Sequence, residues 1–544
     1  MGQLHARRLR CHRLLFESLP LELLTHILSF LDSIQVLTCC ERVSTRFQKA
    51  VQHLELSLRY SSRVINLPPH PPPSHQQQQL SECCSSSSSS TPKERTFFTN
   101  HERMKQVVEL DLSQCHLSPS LIECIASSPT RLRKLLLCNN NCKEIQFITE
   151  SEHFVHLQYL DLKSNSIGNH GAKLIFQSEK LPNLTYLDLS MNHLNDEISN
   201  SLRKSVHAVQ HLKTLSLAQN SIGIEVVKAM TGNEHFRHLT HLNLGGNFNI
   251  GPVGTKLLCE CQHLQQLVDL NLHNCYIGKR GVECIANSSF LTHLESLNIF
   301  HNYLSNEDLQ SLSFITKNFI HLKKLFLDYN EMTSEGLNTL LSNPRETFKN
   351  LIKLSLDGGT IDPQSIQKIA QIEHLKTLDI YGLNSDKVAN LLALKILSRL
   401  EKLNIYWSMY GQDCIKALIF SLHFSKSHLT MRNLTSLRFD NGNIGDEGVK
   451  LIVKCQAFSH LKKLRLNNNG ITNIGAKYLS KSRFMKNLIF LSLKRNDIGI
   501  QGLTLILQSN RLKQLQILKA EHNAVEDQEL VLLKQFYRSK LAMN

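Results

Sequence analysis

The sequence predicts an α/β solenoid of about sixteen strand–turn–helix units, preceded by a small all-α module. One pattern recurs from about Val107 onward, Leu-x-x-Leu-x-Leu-x-x-Asn-x-Ile-Gly, with its second leucine at 110, 135, 160, 187, 215, 242, 270, 297, 325, 354, 378, 403, 437, 464, 491 and 518. Most of these positions lie 27 or 28 apart, and a fixed period in this range marks stacked supersecondary units rather than separate globular domains. Ahead of the array, Leu23, Leu24, Ile27, Leu28 and Leu31 recur at helical spacing. Between the two, residues 60–100 carry no period at all.

Each part of a unit follows from its residues. In Leu157-Gln-Tyr-Leu160-Asp-Leu162 the leucines alternate with Tyr159 and Asp161, the period of a half-buried strand. Asn165 then occupies the bend, where its amide can bond backbone groups that no neighbouring strand reaches. Asn192, Asn220, Asn302, Asn330, Asn469, Asn496 and Asn523 repeat that choice, while Cys115 and Cys275 replace it. Ile167-Gly168 leads into a helix. A second glycine follows four residues after the isoleucine (Gly171, Gly281, Gly448, Gly475, Gly502) and is expected to let helix and strand approach closely. No unit can bury its apolar face alone, so stacking puts a curved parallel sheet inside and helices outside. The spacing and the Asn-x-Ile-Gly-x-x-Gly element resemble the ribonuclease-inhibitor type of leucine-rich repeat over residues 102–535. The resemblance implies a horseshoe, on a repeat type that hosts inhibitors, receptors and adaptors alike. Residues 536–544 remain as a short tail.

Residues 60–100 hold Pro68-Pro69-His70-Pro71-Pro72-Pro73, four glutamines from Gln76 and six serines from Ser85. Such a composition buries too little apolar surface to order itself and reads as a disordered tether. A coil of that length spans roughly 35 Å root-mean-square.

The segment 14–56 is the most informative. It reads Leu19-Pro20-Leu21-Glu22-Leu23-Leu24-Thr25-His26-Ile27-Leu28-Ser29-Phe30-Leu31-Asp32 and continues to Val43-Ser44-Thr45-Arg46-Phe47. Pro20 sits where a helix start tolerates it, and so few short helices leave apolar surface awaiting a partner. These residues resemble the F-box: Leu-Pro-x-Glu-Leu, Ile-Leu-x-x-Leu and Val-Ser-x-Arg. Phe47 stands where many members carry Trp, and the Leu-Trp element after the motif is missing. Together the parts resemble the F-box/leucine-rich-repeat proteins. That resemblance implies a non-catalytic, substrate-recognition subunit of an SCF-type cullin–RING ubiquitin ligase. Leu19, Pro20, Leu23, Leu24, Ile27 and Leu28 would contact the adaptor, and the repeats would hold a protein substrate for ubiquitination and proteasomal degradation. The protein would act by raising the effective concentration of substrate near the charged ubiquitin enzyme. Two other readings stand beside it. One is a repeat scaffold or inhibitor whose N-terminal helices cap the array. The other is a GTPase-activating leucine-rich-repeat protein, a group that usually carries an acidic tail, whereas this chain ends near Phe536-Tyr537-Arg538-Ser539-Lys540.

Composition limits the alternatives. In 544 residues, 61 Lys and Arg face 46 Asp and Glu, a formal charge of +15. Residues 101–544 hold 39 acids against 50 bases, so the excess is spread thinly, without the basic run expected for nucleic acid. No apolar run suggests a membrane span. Fifteen cysteines with no regular spacing fit reduced thiols in the cytosol or nucleus. The sequons at Asn183 and Asn433 run straight into repeat leucines and read as chance.

No catalytic motif, cofactor site or metal site is expected. Of 27 histidines, His156, His211, His238, His293, His321, His374 and His460 stand immediately before the first leucine of a repeat. That makes them repeat consensus, with no carboxylate or thiol in the column to complete a metal site. Function is expected on the concave strand face. Early units offer Glu109, Asp111, Asp161, Asp188 and Asp269; the middle offers Phe300, Phe326, Tyr381 and Tyr406, with Tyr329 and Trp407 beside their strands. Late units offer Arg438, Lys463, Arg465, Lys494 and Lys519, with Arg495 alongside. The lone Trp falls where the spacing breaks to 24, 25 and 34 residues, and Trp and Tyr dominate interface hot spots. The substrate surface is therefore expected at the aromatic patch, with the basic end taking an acidic or phosphorylated segment.

Overall fold

The computed structural model describes the backbone of residues 56–59 and residues 107–526, apart from 116, 118, 129, 314–319, 383–398, 407–411, 414, 417–418 and 420–431. The expected F-box at 14–56 (apart from Leu56), the linker at 60–100 and the tail at 536–544 lie outside the described residues. These divide into two compact units. One runs to Ile250 and includes Cys261–Leu267; the other takes Gly251–Glu260 and continues from Val268.

The first unit holds seven parallel strands: β1 (Leu56–Arg59), β2 (Val107–Asp111), β3 (Lys134–Leu136), β4 (Tyr159–Asp161), β5 (Tyr186–Asp188), β6 (Thr214–Ser216) and β7 (His241–Asn243). The second holds ten: β8 (Asp269–Asn271), β9 (Ser296–Asn298), β10 (Lys324–Phe326), β11 (Lys353–Asp357), β12 (Thr377–Tyr381), β13 (Lys402–Tyr406), β14 (Ser436–Asp440), β15 (Lys463–Arg465), β16 (Phe490–Ser492) and β17 (Ile517–Lys519). Each of the sixteen repeat leucines lies in one of β2–β17, and within each unit they pair in register, as Leu160↔Leu187 and Leu403↔Leu437 do. Strand β1 is an addition. It sets Leu58 opposite Leu110, one strand before the first repeat the leucine pattern can mark.

The coil around β4 shows why the consensus is what it is. Leu157, Leu160, Leu162, Ile167, Ala172, Ile175, Phe176, Leu181 and Leu184 are all buried, supplied in turn by strand, bend and the helix Gly168–Gln177. Two polar ladders join neighbouring coils. Asn165 donates from Nδ2 to the carbonyls of Leu137 (2.8 Å) and Leu162 (2.9 Å), while its Oδ1 accepts from the N–H groups of Asn140 (3.0 Å) and Cys142 (3.2 Å). The buried bend groups are thereby satisfied without a strand partner. On the helix side, Ser178, Ser288 and Ser482 donate to the last-turn carbonyls of Thr149, Cys259 and Val453 in the preceding coil, at 2.6, 2.6 and 2.7 Å.

The second glycine of each unit proves necessary for a reason other than helix–strand approach. A Cβ at Gly171 would lie 2.8 Å from Cβ of Ile167, and one at Gly475 would lie 2.5 Å from a carboxylate oxygen of Asp446 in the preceding coil. The glycine clears its own unit's isoleucine and the cap of the coil before it.

Units β11 to β14 depart from the rule, and the departure builds the site. Their strands run to five residues instead of three. No asparagine turns the chain outward after the second leucine of β11, β12 or β13, so pairing continues for two more residues. At β14 the ladder position is Gly442, whose N–H bonds Oδ1 of Asn469 at 2.9 Å, and a Cβ there would overlap Cε1 of the buried Phe439 ring. Gly442→Ala is expected to cost about 1–3 kcal/mol by overpacking, read by urea denaturation. Gly359→Ala, with nothing within 4 Å of the added carbon, should be near neutral; equal effects would contradict this account.

Candidate functional site

The five-residue strands bring two columns of side chains onto the strand face of the second unit. Asp357, Tyr381, Tyr406 and Asp440 pair across β11–β14. Phe300 and Asp328, each two residues beyond its own strand, extend that column backward. Beside it runs Phe326, Ser355, Asp379, Asn404, Arg438 and Arg465. Neighbouring strands are about 4.8 Å apart, so side chains within a column are in contact range.

The expected aromatic residues do come together. Phe300 meets Tyr329 edge-on at 5.0 Å between centroids, Tyr329 meets Tyr381 at 5.4 Å, and Phe300 lies 6.5 Å from Tyr381. Tyr381 stacks on Tyr406 at 4.4 Å with the planes 11° apart. The Arg438 guanidinium covers the other face of Tyr406 at 4.4 Å and donates to its hydroxyl at 3.2 Å. His273 and His301 edge onto Phe300 at 6.2 and 5.8 Å. Exposure separates their roles. Tyr329 is 41% exposed and available to a partner, whereas Tyr406 is 9% exposed and is a packed pillar between Tyr381 and Arg438. Trp407 lies outside the described residues.

Interleaved with the rings are carboxylates that the sequence reading did not single out. Asp328, Asp379 and Asp440 are each no more than 3% exposed, and Asp357 is half-buried. Asp379 binds Nζ of Lys353 at 2.7 Å, and that ammonium also lies 4.6 Å from the centre of the Phe326 ring. Asp379 further accepts from the Asn404 amide at 2.6 Å. Asp440 pairs with Nε of Arg438 and accepts from the backbone N–H of Asn467 at 2.9 Å. Asp328 accepts from the Ser355 hydroxyl, and Asp357 accepts from the N–H of Asn330 at 3.3 Å. Burial pushes the Asp328 carboxyl up to about 7, against the Ser355 bond, with Asp357 and Asp379 adding repulsion. Burial likewise raises Asp357 to about 6, opposed by the N–H groups of Tyr329 and Asn330. Burial also pushes the Tyr406 hydroxyl up to about 12.

The expected gradient from acidic to basic therefore needs correcting at its basic end. Arg438 is engaged by Asp440, and Lys494 pairs with Glu521 at 3.2 Å. Among the described residues Lys463 and Arg465 pair with no carboxylate, and Arg465 rests 5.2 Å from the Phe490 ring centre. At the acidic end, burial and then the neighbouring Asp188 raise the Asp161 carboxyl, against the Lys163 N–H. The repeat histidines are exposed; His293 and His321 stack at 6.3 Å. Among the described residues no group of three potential ligands could hold a metal ion, and no helix is long and apolar enough to cross a membrane. Burial raises the thiols of Cys142, Cys259 and Cys455, away from reactive thiolate character.

The signal for the missed carboxylates was present in the sequence. Asp328 and Asp357 stand at the same repeat position as Phe300 and Tyr381, but nothing in the spacing says that rings would close over them. The adaptor-contact residues Leu19, Pro20, Leu23, Leu24, Ile27 and Leu28 lie outside the described residues.

Comparison with known proteins agrees with this organisation. The F-box-like family matches residues 16–60, and the leucine-rich-repeat family matches 155–176, 180–198, 235–259, 290–313, 430–453 and 459–480. The mouse NACHT, LRR and PYD domains-containing protein 14 is 27% identical over 305 residues, covering 52% of this chain and 27% of its own length. The bovine NACHT, LRR and PYD domains-containing protein 3 is 28% identical over 231 residues, covering 41% of this chain and 19% of its own. The chain thus spans about a quarter or less of these relatives. A leucine-rich-repeat protein of Leptospira interrogans aligns over 83% of this chain and 97% of its own, at 20% identity and a TM-score of 0.36.

Proposed function

We propose that this chain, an F-box/leucine-rich-repeat protein, is the substrate-recognition subunit of an SCF-type cullin–RING ubiquitin ligase. The supporting observation is the pairing of an F-box-like segment at 16–60 with a repeat array. One end is of the kind that docks on an adaptor, and the other presents an aromatic strand face to a protein. Leu19, Pro20, Leu23, Leu24, Ile27 and Leu28 make the adaptor contact in this reading, and residues 60–100 act as the tether between the docking module and the repeats. The chain supplies no chemistry of its own. It acts in the cytosol or nucleus by holding substrate near the charged ubiquitin enzyme, where effective concentration replaces bulk encounter.

The test is co-purification of the full chain with adaptor and cullin. Leu19→Asp combined with Pro20→Ala should abolish it, because a charge placed in an apolar contact is left unpaired on docking. Undiminished co-purification of that double variant would leave the repeat scaffold or inhibitor as the better reading.

A further inference from the structure

The positive excess, expected to be spread thinly, is instead concentrated. Residues 448–520 hold 14 Lys and Arg against one acid, Asp497, whereas residues 101–544 as a whole hold 50 bases and 39 acids. The rest of that stretch is therefore slightly acidic. These bases belong to the last coils of the second unit, where every residue from 432 to 526 is described. Six of them, Lys454, Lys481, Arg483, Lys486, Arg511 and Lys513, are exposed along one edge, where the helices Gly445–Lys454, Asn473–Lys481 and Ile500–Leu507 end and the next strands begin. Helix C-termini attract cations, which accounts for Lys454 and Lys481 but not for the four bases beyond the helices. The carboxylates of the same coils stand at the opposite edge: Asp446 and Glu447 in a first helical turn, Asp497 and Glu521 on the bends. Among the described residues, the ion pairs of these coils are Arg438–Asp440, Lys450–Glu447 and Lys494–Glu521, which leave all six out. The adjoining residues 420–431 contain no Asp or Glu. Farther back along the edge the bases are matched, Lys323 with Glu295 at 2.6 Å and Lys376 with Glu401 at 2.8 Å.

An open groove of about 380 Å³ lies in this edge, with Gln456, Ser459 and His460 on one side and Arg483, Phe484 and Lys486 on the other. The Asn487 amide donates to the Ser459 carbonyl at 2.8 Å and ties the two sides together. The Arg483 guanidinium lies 4.7 Å from the centre of the Phe484 ring, an arrangement that holds its plane while its N–H groups stay open to a ligand.

We propose that this edge docks an acidic segment of a partner protein, with one carboxylate of that segment held in the groove by Arg483 and Lys486. The site is separate from the aromatic strand face and does not depend on the reading of that face as the substrate surface. Two of the bases expected to serve an acidic partner there, Arg438 and Lys494, are already ion-paired. Carboxylates two residues apart on an extended segment are about 7 Å apart, a spacing that bases on coils about 4.8 Å apart can follow. A patch of one sign also draws such a segment in before contact. A single-stranded nucleic acid fits less well, because it needs open rings on which bases stack. The rings of these coils each carry a cation of the chain: Arg483 on Phe484, Arg465 on Phe490 and Lys450 on Tyr478.

Fluorescence anisotropy of the purified full chain with a labelled, capped Glu-Asp-Glu-Glu-Asp-Glu peptide tests this, beside a Gln-Asn-Gln-Gln-Asn-Gln peptide and a short DNA duplex. The acidic peptide is expected to bind, the amide peptide is not, and binding should weaken as salt screens the surface charge. Arg483→Glu with Lys486→Glu should weaken the acidic peptide by roughly ten-fold or more, because like charges brought face to face oppose docking. The milder pair Arg483→Gln with Lys486→Gln should weaken it by less, and keeps the comparison if the reversed charges shift the urea midpoint. Lys463→Ala with Arg465→Ala, on the strand face, should leave it unchanged. An acidic peptide that fails to bind, that binds both Arg483 and Lys486 variants as well as the parent, or that loses as much in the strand-face variant overturns the proposal. So does a DNA duplex that binds more tightly than the acidic peptide. None of these measurements involves the adaptor contact, so the ligase reading and this one fail separately.

Discussion

Asn165→Ala is expected to destabilise the first unit by about 2–4 kcal/mol. Asn165 is fully buried and its amide serves two carbonyls and two N–H groups drawn from its own and the preceding coil. Alanine leaves the two N–H groups without a partner in a site shaped to exclude water, at about 1–3 kcal/mol each, while the carbonyls of Leu137 and Leu162 keep the amides of Asn140 (2.8 Å) and Asn192 (2.9 Å). Partial entry of water keeps the total below a simple sum. Asn523→Ala provides the contrast: it is half-exposed at the end of the second unit's ladder, donating to Leu493 and Ala520 at 2.8 and 2.9 Å. Urea denaturation should show a loss at Asn165 at least twice that at Asn523, with amide exchange at Asn140 and Cys142 accelerated. Similar small losses at both positions would show that solvent, not the ladder, satisfies the bends.

Asp328→Asn is expected to stabilise the second unit at neutral pH. Burial raises this carboxyl from 3.8 to about 7, so between those values the native state holds a proton that the unfolded chain has released. Stability then falls as pH rises through that window and levels off above it. Asp357, raised to about 6, adds to the same slope at its lower end. A shift of that size corresponds to at most about 4 kcal/mol. The amide carries no charge to desolvate and still offers an oxygen to Ser355. The variant should match the parent near pH 4 and exceed it above pH 7, as read from denaturation midpoints across that range. An unchanged slope would place the charge elsewhere.

How far the sequence could be read depends on which interactions repeat. Leu160, Asn165 and Gly171 each do a job set by the units beside them, and all three jobs recur every 27 or 28 residues; periodicity therefore exposes them. Gly171 marks the limit of that reading, since a period shows that a residue is needed without showing what a side chain there would strike. Strand β1 has no periodic neighbour before it, so Leu58 carried no mark. The site escaped for the opposite reason. Tyr406 looked like a contact residue because its strand position faces outward, yet Arg438 covers it from the next coil. Asp328 looked like a solvated acid, yet Phe300 and Tyr381 lean over it. Both outcomes depend on side-chain directions across several coils, and no single repeat position records those, not even the missing bend asparagine of β11, β12 and β13.

That absence has a mechanical consequence. The asparagine ladder of the second unit runs from Cys275 through Asn302 and Asn330 to Asp357, and resumes at Gly442 with Asn469 and Asn496. Among the described residues, no such link spans the coils of β12 and β13. In a stack held by nearest-neighbour contacts, backbone pairing joins these coils instead: β11 to β14 pair over five residues each, and the N–H of Gly382 bonds the carbonyl of Tyr406 at 2.8 Å. Load passing through this stretch of the second unit is thus carried by main-chain ladders rather than by side-chain amides.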